Sequence, residues 1–137
     1  MNKSGVATLP VILLISGIVI ELAIAGVVIS ALLSNTIFSS RLSAEALAAA
    51  RAGAQDAIVK IIRYKNCNAT SCGGPVPYTI TLGSRTALVS LVDNLNDTLT
   101  VTSVGTAVTR KKQIKAVVGV DPVSGKISVV SFEEVSL

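Results

Sequence analysis

The sequence predicts an α+β fold: a long N-terminal helix, transmembrane in its first part and amphipathic in its second, packed on a small C-terminal antiparallel β-sheet. Three observations predict it. The chain of 137 residues is half apolar and only 15% charged, with a mean hydropathy of +0.69, more than a soluble domain of this size requires. That excess lies at the front, where Glu21 is the sole charged side chain between Ser4 and Ser40. Behind it, an alanine-rich stretch with helical spacing gives way after Tyr64 to runs with a period near two.

Composition removes several function classes before any motif is read. The chain has no histidine and no tryptophan. Without histidine the commonest general base and the commonest zinc ligand are missing, which argues against hydrolase triads and catalytic metal sites. Twelve basic residues against eight acidic give a net charge of +4, too mild and too dispersed to specify nucleic acid. No spacing of serine, aspartate and lysine suggests an activated nucleophile, so neither an enzyme nor a cofactor is expected.

Pro10 to Leu33 satisfies the length of a spanning helix, about 20 apolar residues at about 1.5 Å each across a hydrocarbon core of roughly 30 Å. Pro10 fits the first turn, where its missing N–H has no intrahelical partner to lose. Val6, Ala7 and Thr8 then read as lead-in. Lys3 and the terminal amine supply the positive end that stays cytoplasmic, giving N-terminus in and C-terminus out. The same residues also admit a secretory signal peptide, with Ala23-Ile24-Ala25 as a cleavage box before Gly26. Against that, the apolar run exceeds the usual h-region, Glu21 sits just before the box, and cleavage leaves Val27 to Leu33 as a greasy new terminus.

Glu21 requires its own account, because a carboxylate near mid-bilayer costs about 2.5–3.5 kcal/mol on insertion scales. Either it meets a cation, or donates as a neutral acid, at a helix–helix contact, or it is a protonated or snorkelling side chain in the outer half of the span.

From Ser39 to Tyr64 the apolar positions Leu42, Ala46 or Leu47, Ala50, Ala54, Ala57 or Ile58, Ile61 and Ile62 recur at three-to-four spacing. Charged residues fill the remainder, with Asp56 and Lys60 a favourable i,i+4 pair. The alanines leave a thin face that another helix can approach, and Ala23, Gly26 and Ser30 do the same within the span. Ser34-Asn35-Thr36 and Ser39-Ser40 are weak points where a bend is conceivable, yet no proline falls between Pro10 and Pro75. A nearly continuous helix of about fifty residues, roughly 80 Å long, is the simplest expectation, and its exposed part needs partners.

Cys67 and Cys72 flank four residues just past the helix and read as one disulfide in an exported domain, fixing the exit from the helix. Asn68 and Asn96 each open a glycosylation tripeptide, although unmodified turn asparagines are the preferred reading. Strands are expected at Tyr78 to Leu82, Ala87 to Val92, Leu99 to Val104, Gln113 to Val120 and Ile127 to Phe132. Asp121-Pro122-Val123-Ser124-Gly125 predicts a hairpin joining the last two. Ile114, Ala116, Val118 and Val120 share a strand face that covers the helix stripe, with Leu88, Leu91, Leu95, Leu99 and Val101 in the same core. The basic cluster Arg110-Lys111-Lys112 with Lys115 has no interleaved aromatic residues to stack bases and reads as a solvated strand start guarding a sheet edge; contact with DNA or an acidic neighbour is the alternative.

The front of the chain carries a resemblance. A short polar leader with a basic residue, Met1-Asn2-Lys3-Ser4-Gly5, runs into an apolar helix that continues as the alanine-rich stretch from Ser43 to Arg63. Over about its first 65 residues the sequence resembles the type IV pilin and pseudopilin superfamily. The resemblance implies cleavage by a prepilin peptidase between Gly5 and Val6, methylation of the new amine, storage in the cytoplasmic membrane and assembly into an extracellular filament of like subunits through the N-terminal helix. The family usually has a glutamate five places into the mature chain; Pro10 stands there, as in minor pilins and pseudopilins that lack it. Glu21 is about fifteen residues, or roughly 22 Å, down the helix, and so is no simple replacement. The implied organisation is a leader over 1–5, a transmembrane and filament-core helix over 6–38, an amphipathic helix over 39–64, and a head of disulfide loop and sheet over 65–137. A pilus subunit and a type II secretion pseudopilin fit alike; a secreted or membrane-anchored binding domain is the reading outside the family.

Overall fold

A computed structural model of the chain describes residues 8–137 apart from Lys65, Leu95 and Pro122. Helix α1 spans Thr8–Arg63, and five strands follow: β1 Tyr78–Leu82, β2 Arg85–Asn94, β3 Thr98–Ala107, β4 Arg110–Val120 and β5 Ile127–Val135. They form one antiparallel meander in the order β1-β2-β3-β4-β5. The expected α+β architecture and all five expected strands are present. The serine-rich points between Ser34 and Ser40 lie inside α1, where the Thr36 hydroxyl donates to the Leu32 carbonyl at 3.0 Å instead of breaking the ladder. The chain divides into two compact units; the second is Ser39–Leu137 and contains the core.

In that unit the helix buries one stripe: Leu42, Ala46, Ala49, Ala50, Gly53, Ala54, Ala57 and Ile61. The spacing left alternatives at two turns, and the structure selects Ala46 and Ala57, with Leu47 and Ile58 half-buried; of Ile61 and Ile62, both expected on the stripe, Ile61 is buried and Ile62 is 58% exposed. What covers the alanines is the sheet, not a second helix. Gly105, two residues before the end of β3, explains how close the approach is: a Cβ there would run into the Ala46 carbonyl and lie 3.0 Å from the Ala50 Cα. Gly53 answers from the helix side, with no room for a Cβ beside Ala87, whose own Cβ would be 2.9 Å away. Toward the end of the helix the contact widens to Ile61 against Val89, Val101 and Val118, each fully buried and worth about 1.5–3 kcal/mol.

Strand parity corrects one core assignment. Ala87, Val89 and Leu91 face the helix, so Leu88 points to the opposite face and is 48% exposed. Leu91, Leu99 and Val101 are buried as expected, Val120 is half-buried, and Leu95 lies outside the described residues. The sheet divides the basic cluster: Lys115 pairs across to Glu133 of β5 and guards no edge, whereas Arg110, Lys111 and Lys112 precede the β5 pairing, which begins at Gln113, and lie on a stretch of β4 paired with β3 alone.

Ser103 is the exception in the core: its hydroxyl, buried against Gly53, has no hydrogen-bond partner. An unpartnered buried hydroxyl costs about 1–3 kcal/mol. Ser103→Ala is therefore expected to leave stability unchanged or raise it by up to about 1 kcal/mol, read as the denaturation midpoint of the full chain in detergent. A fall of that size would mean the hydroxyl is satisfied in solution.

Candidate assembly surfaces

The first surface is the front of α1. The helix is long and apolar enough to cross a membrane, and its most apolar window has none of its residues buried by this chain. Ile12, Leu22, Val27 and Leu32 are typical, each more than half exposed. Pro10 lies in the first turn of α1, which begins at Thr8. Glu21 is exposed on this apolar rod, and among the described residues no ion pair or hydrogen bond reaches it. Gly5 and Val6 lie outside the described residues.

The head positions its charges in a second set of contacts. Glu45 accepts from two guanidiniums, Arg41 on its own helix at 3.3 Å and Arg85 on β2 at 3.2 Å, and so ties helix to sheet. Arg110 donates to the Ser39 hydroxyl at 2.7 Å, and Lys112 pairs with Glu134 at 2.6 Å. This end of the head thus gathers cations around two carboxylates, and among the described residues Lys111 and Arg110 take part in none of its ion pairs.

Farther along the helix, Asp56 accepts from the Tyr78 hydroxyl at 2.8 Å and from Lys60 at 3.0 Å, while the Lys60 ammonium lies 3.5 Å from the Tyr78 ring centroid. Burial, then the hydrogen bond and charge of Asp56, push the Tyr78 phenol well above its ordinary value near 10. Because the folded state holds this proton more tightly, the stabilisation is complete below about pH 10 and is lost as pH rises above it. Tyr78→Phe keeps the ring beneath Lys60 and removes only the hydroxyl. It should cost about 1 kcal/mol near neutral pH and flatten the alkaline decline in unfolding midpoint. An unchanged alkaline profile would show that the hydrogen bond does not form.

Cys67 and Cys72 form the expected disulfide, with Cys72 buried in the core. Inside that loop the Asn68 side-chain oxygen accepts from the Thr70 amide, the Thr70 hydroxyl and the Ser71 amide, at 2.8 to 3.0 Å, which makes Asn68 a working turn residue. Asn96 is exposed in the β2–β3 turn.

Sequence reading missed a cleft of about 500 Å³ between the end of α1, the β2–β3 turn and the β4–β5 turn. Ile61, Leu99 and Val120 contribute its apolar lining, and Asp93, Asp97 and Asp121 its charges; no Lys or Arg lines it among the described residues. The turns are pinned to each other by the Val120 amide donating to the Asp97 carbonyl at 2.9 Å. Asp121 accepts from the Ser124 hydroxyl and from the Val123 and Ser124 amides, which hold its carboxyl below the usual range. The turn chemistry of Asp121 was legible; that Asp93 and Asp97 join it depends on which turns share one end of the sheet. Among the described residues no group of three or more His, Cys, Asp or Glu side chains is placed to hold a metal ion. Compared with known proteins, the chain matches no family model, no curated protein and no solved structure.

Proposed function

We propose that the chain is a structural subunit of a type IV pilus-like filament, held in the cytoplasmic membrane with its head outside and assembled through its N-terminal helix. The observation that carries this reading is the division of labour along α1. From Leu42 to Ile61 the helix buries its stripe in the chain's own sheet, whereas the most apolar window of its front is buried by none of the described residues. A surface so apolar requires lipid or other helices. A subunit that moves from bilayer to filament core meets both in turn. The leader Met1 to Gly5 and the alanine-rich stretch support the same reading by resemblance. Its partners are then like subunits, the membrane, a prepilin peptidase and the assembly machinery, in a pilus or a type II secretion pseudopilus alike. The chain itself performs no catalysis.

A second reading has one observation in its favour. The unit Ser39–Leu137 has its own core, helix and disulfide, as a secreted or anchored binding domain requires. Intact mass and N-terminal sequencing of protein from membranes and from a sheared surface fraction separate the two. A start at Val6 with a methylated amine is the expected result. A start at Gly26 would make the product a secreted domain, and an uncut Met1 a plain membrane-anchored module.

A further inference from the structure

The geometry points to a head-to-tail contact between copies of this chain, in which the β3–β4 turn of one head enters the cleft at the far end of the next. Three features of the head converge on it. The turn is Val108-Thr109, closed by the pairing of Ala107 with Arg110. Val108 stands where the β1–β2 turn has Gly83: both have positive φ, 54° and 66°. A β-branched side chain in the left-handed region is a backbone outlier that folding alone does not favour, and such outliers mark positions kept for another purpose. Val108 is also 71% exposed, an apolar tip beside Arg110 and Lys111.

The cleft has the complementary character. Its floor is apolar, from Ile61, Leu99 and Val120, and among the described residues its charged groups are the carboxylates of Asp93, Asp97 and Asp121. A volume of about 500 Å³ accommodates a valine and the stems of one or two basic side chains. Apolar burial supplies attraction, and the charges set orientation and exclude a reversed approach. Tip and cleft lie at opposite ends of β3, nine steps of about 3.4 Å apart, or roughly 30 Å. A contact joining unlike surfaces at opposite ends does not close on itself as a twofold dimer does; repeated, it builds a ring or an open filament according to the rotation it carries. The inference deepens the filament reading and rests on it for the identity of the partner.

Carbodiimide cross-linking of the full chain, in membranes and in detergent, tests it. The reagent joins Lys111 to a carboxylate only at direct contact, and the separation along β3 makes any Lys111 link to Asp93 or Asp97 intermolecular. Such links are expected in peptide maps of the wild-type oligomers. Arg110→Asp with Lys111→Asp, and separately Asp93→Lys with Asp97→Lys, should each reduce oligomer recovery at least about tenfold. Combining all four substitutions should restore it, with the links running in reverse between the same positions. Oligomers or filaments that lack these links, or whose yield the charge changes leave alone, would overturn the contact and leave the filament reading standing. The links in oligomers that never extend to filaments would support the contact and remove the filament. A chain monomeric under all conditions would overturn both.

Discussion

Gly105→Ala is expected to lower the midpoint of thermal unfolding by more than about 10 °C, the largest effect of any single methyl group in the head. The added Cβ meets helix backbone: the Ala46 carbonyl, the Ala50 amide and the Ala50 Cα. Backbone has no rotamer by which to move aside, so the helix must lift from the sheet along a stripe of fully buried alanines. Overpacking costs about 1–3 kcal/mol when side chains absorb it, and an obstacle made of backbone places this site at the upper end. A domain of this size loses about 4–8 °C for each kcal/mol. Gly119→Ala is the matched control, since Gly119 is also a strand glycine near the end of its strand, one strand away, but its added Cβ would lie 3.1 Å from the Ser128 hydroxyl on the other face. That side chain rotates, so the control should stay within about 1 kcal/mol. Circular dichroism melts of the two variants in detergent decide the matter; equal midpoints would mean that the helix does not seat on β3 as described.

The same site shows where sequence reading stops. The three-to-four spacing from Leu42 to Ile61 makes the helix and its buried stripe legible. It leaves unsaid what the stripe touches, because an alanine face suits a sheet with a central glycine as well as a second helix. Alternation located all five strands, and Asp121 to Gly125 located the last hairpin, since both signals are local. Leu88 shows the limit of hydrophobicity without parity: one residue from a helix-facing position, a leucine faces outward and the small Ala87 faces in. Neighbour order across the sheet is global. For that reason Lys115 reads as part of an edge guard although its stretch of β4 is interior, and the cleft carboxylates, from the end of β2 and from two separate turns, gave no common signal. Val108 was invisible for a different reason: valine is the residue least expected at positive φ, and only backbone geometry reveals it.

At the other end of the chain, Glu21→Gln is expected to leave membrane insertion intact while lowering incorporation into filaments at least about tenfold. Insertion should tolerate the change because a neutral amide enters hydrocarbon more readily than a carboxylate, which costs about 2.5–3.5 kcal/mol at mid-span. Assembly is different if the carboxylate is matched there by a cation or an acceptor on a neighbouring helix. Glutamine keeps the length and one oxygen but loses the charge and the acidic proton, so a charge-assisted contact falls to a neutral one. About 1.4 kcal/mol of lost contact already amounts to a factor of ten. Glu21 suits such a role by its isolation: it is exposed on the apolar rod, and no side chain of this chain among the described residues pairs with it. The measurement is the ratio of sheared-fraction to membrane protein for variant and wild type produced together. Equal ratios would assign Glu21 to a lipid-facing acid that reaches the interface by its own stem. A variant lost from the membrane as well would place its role in insertion rather than in assembly.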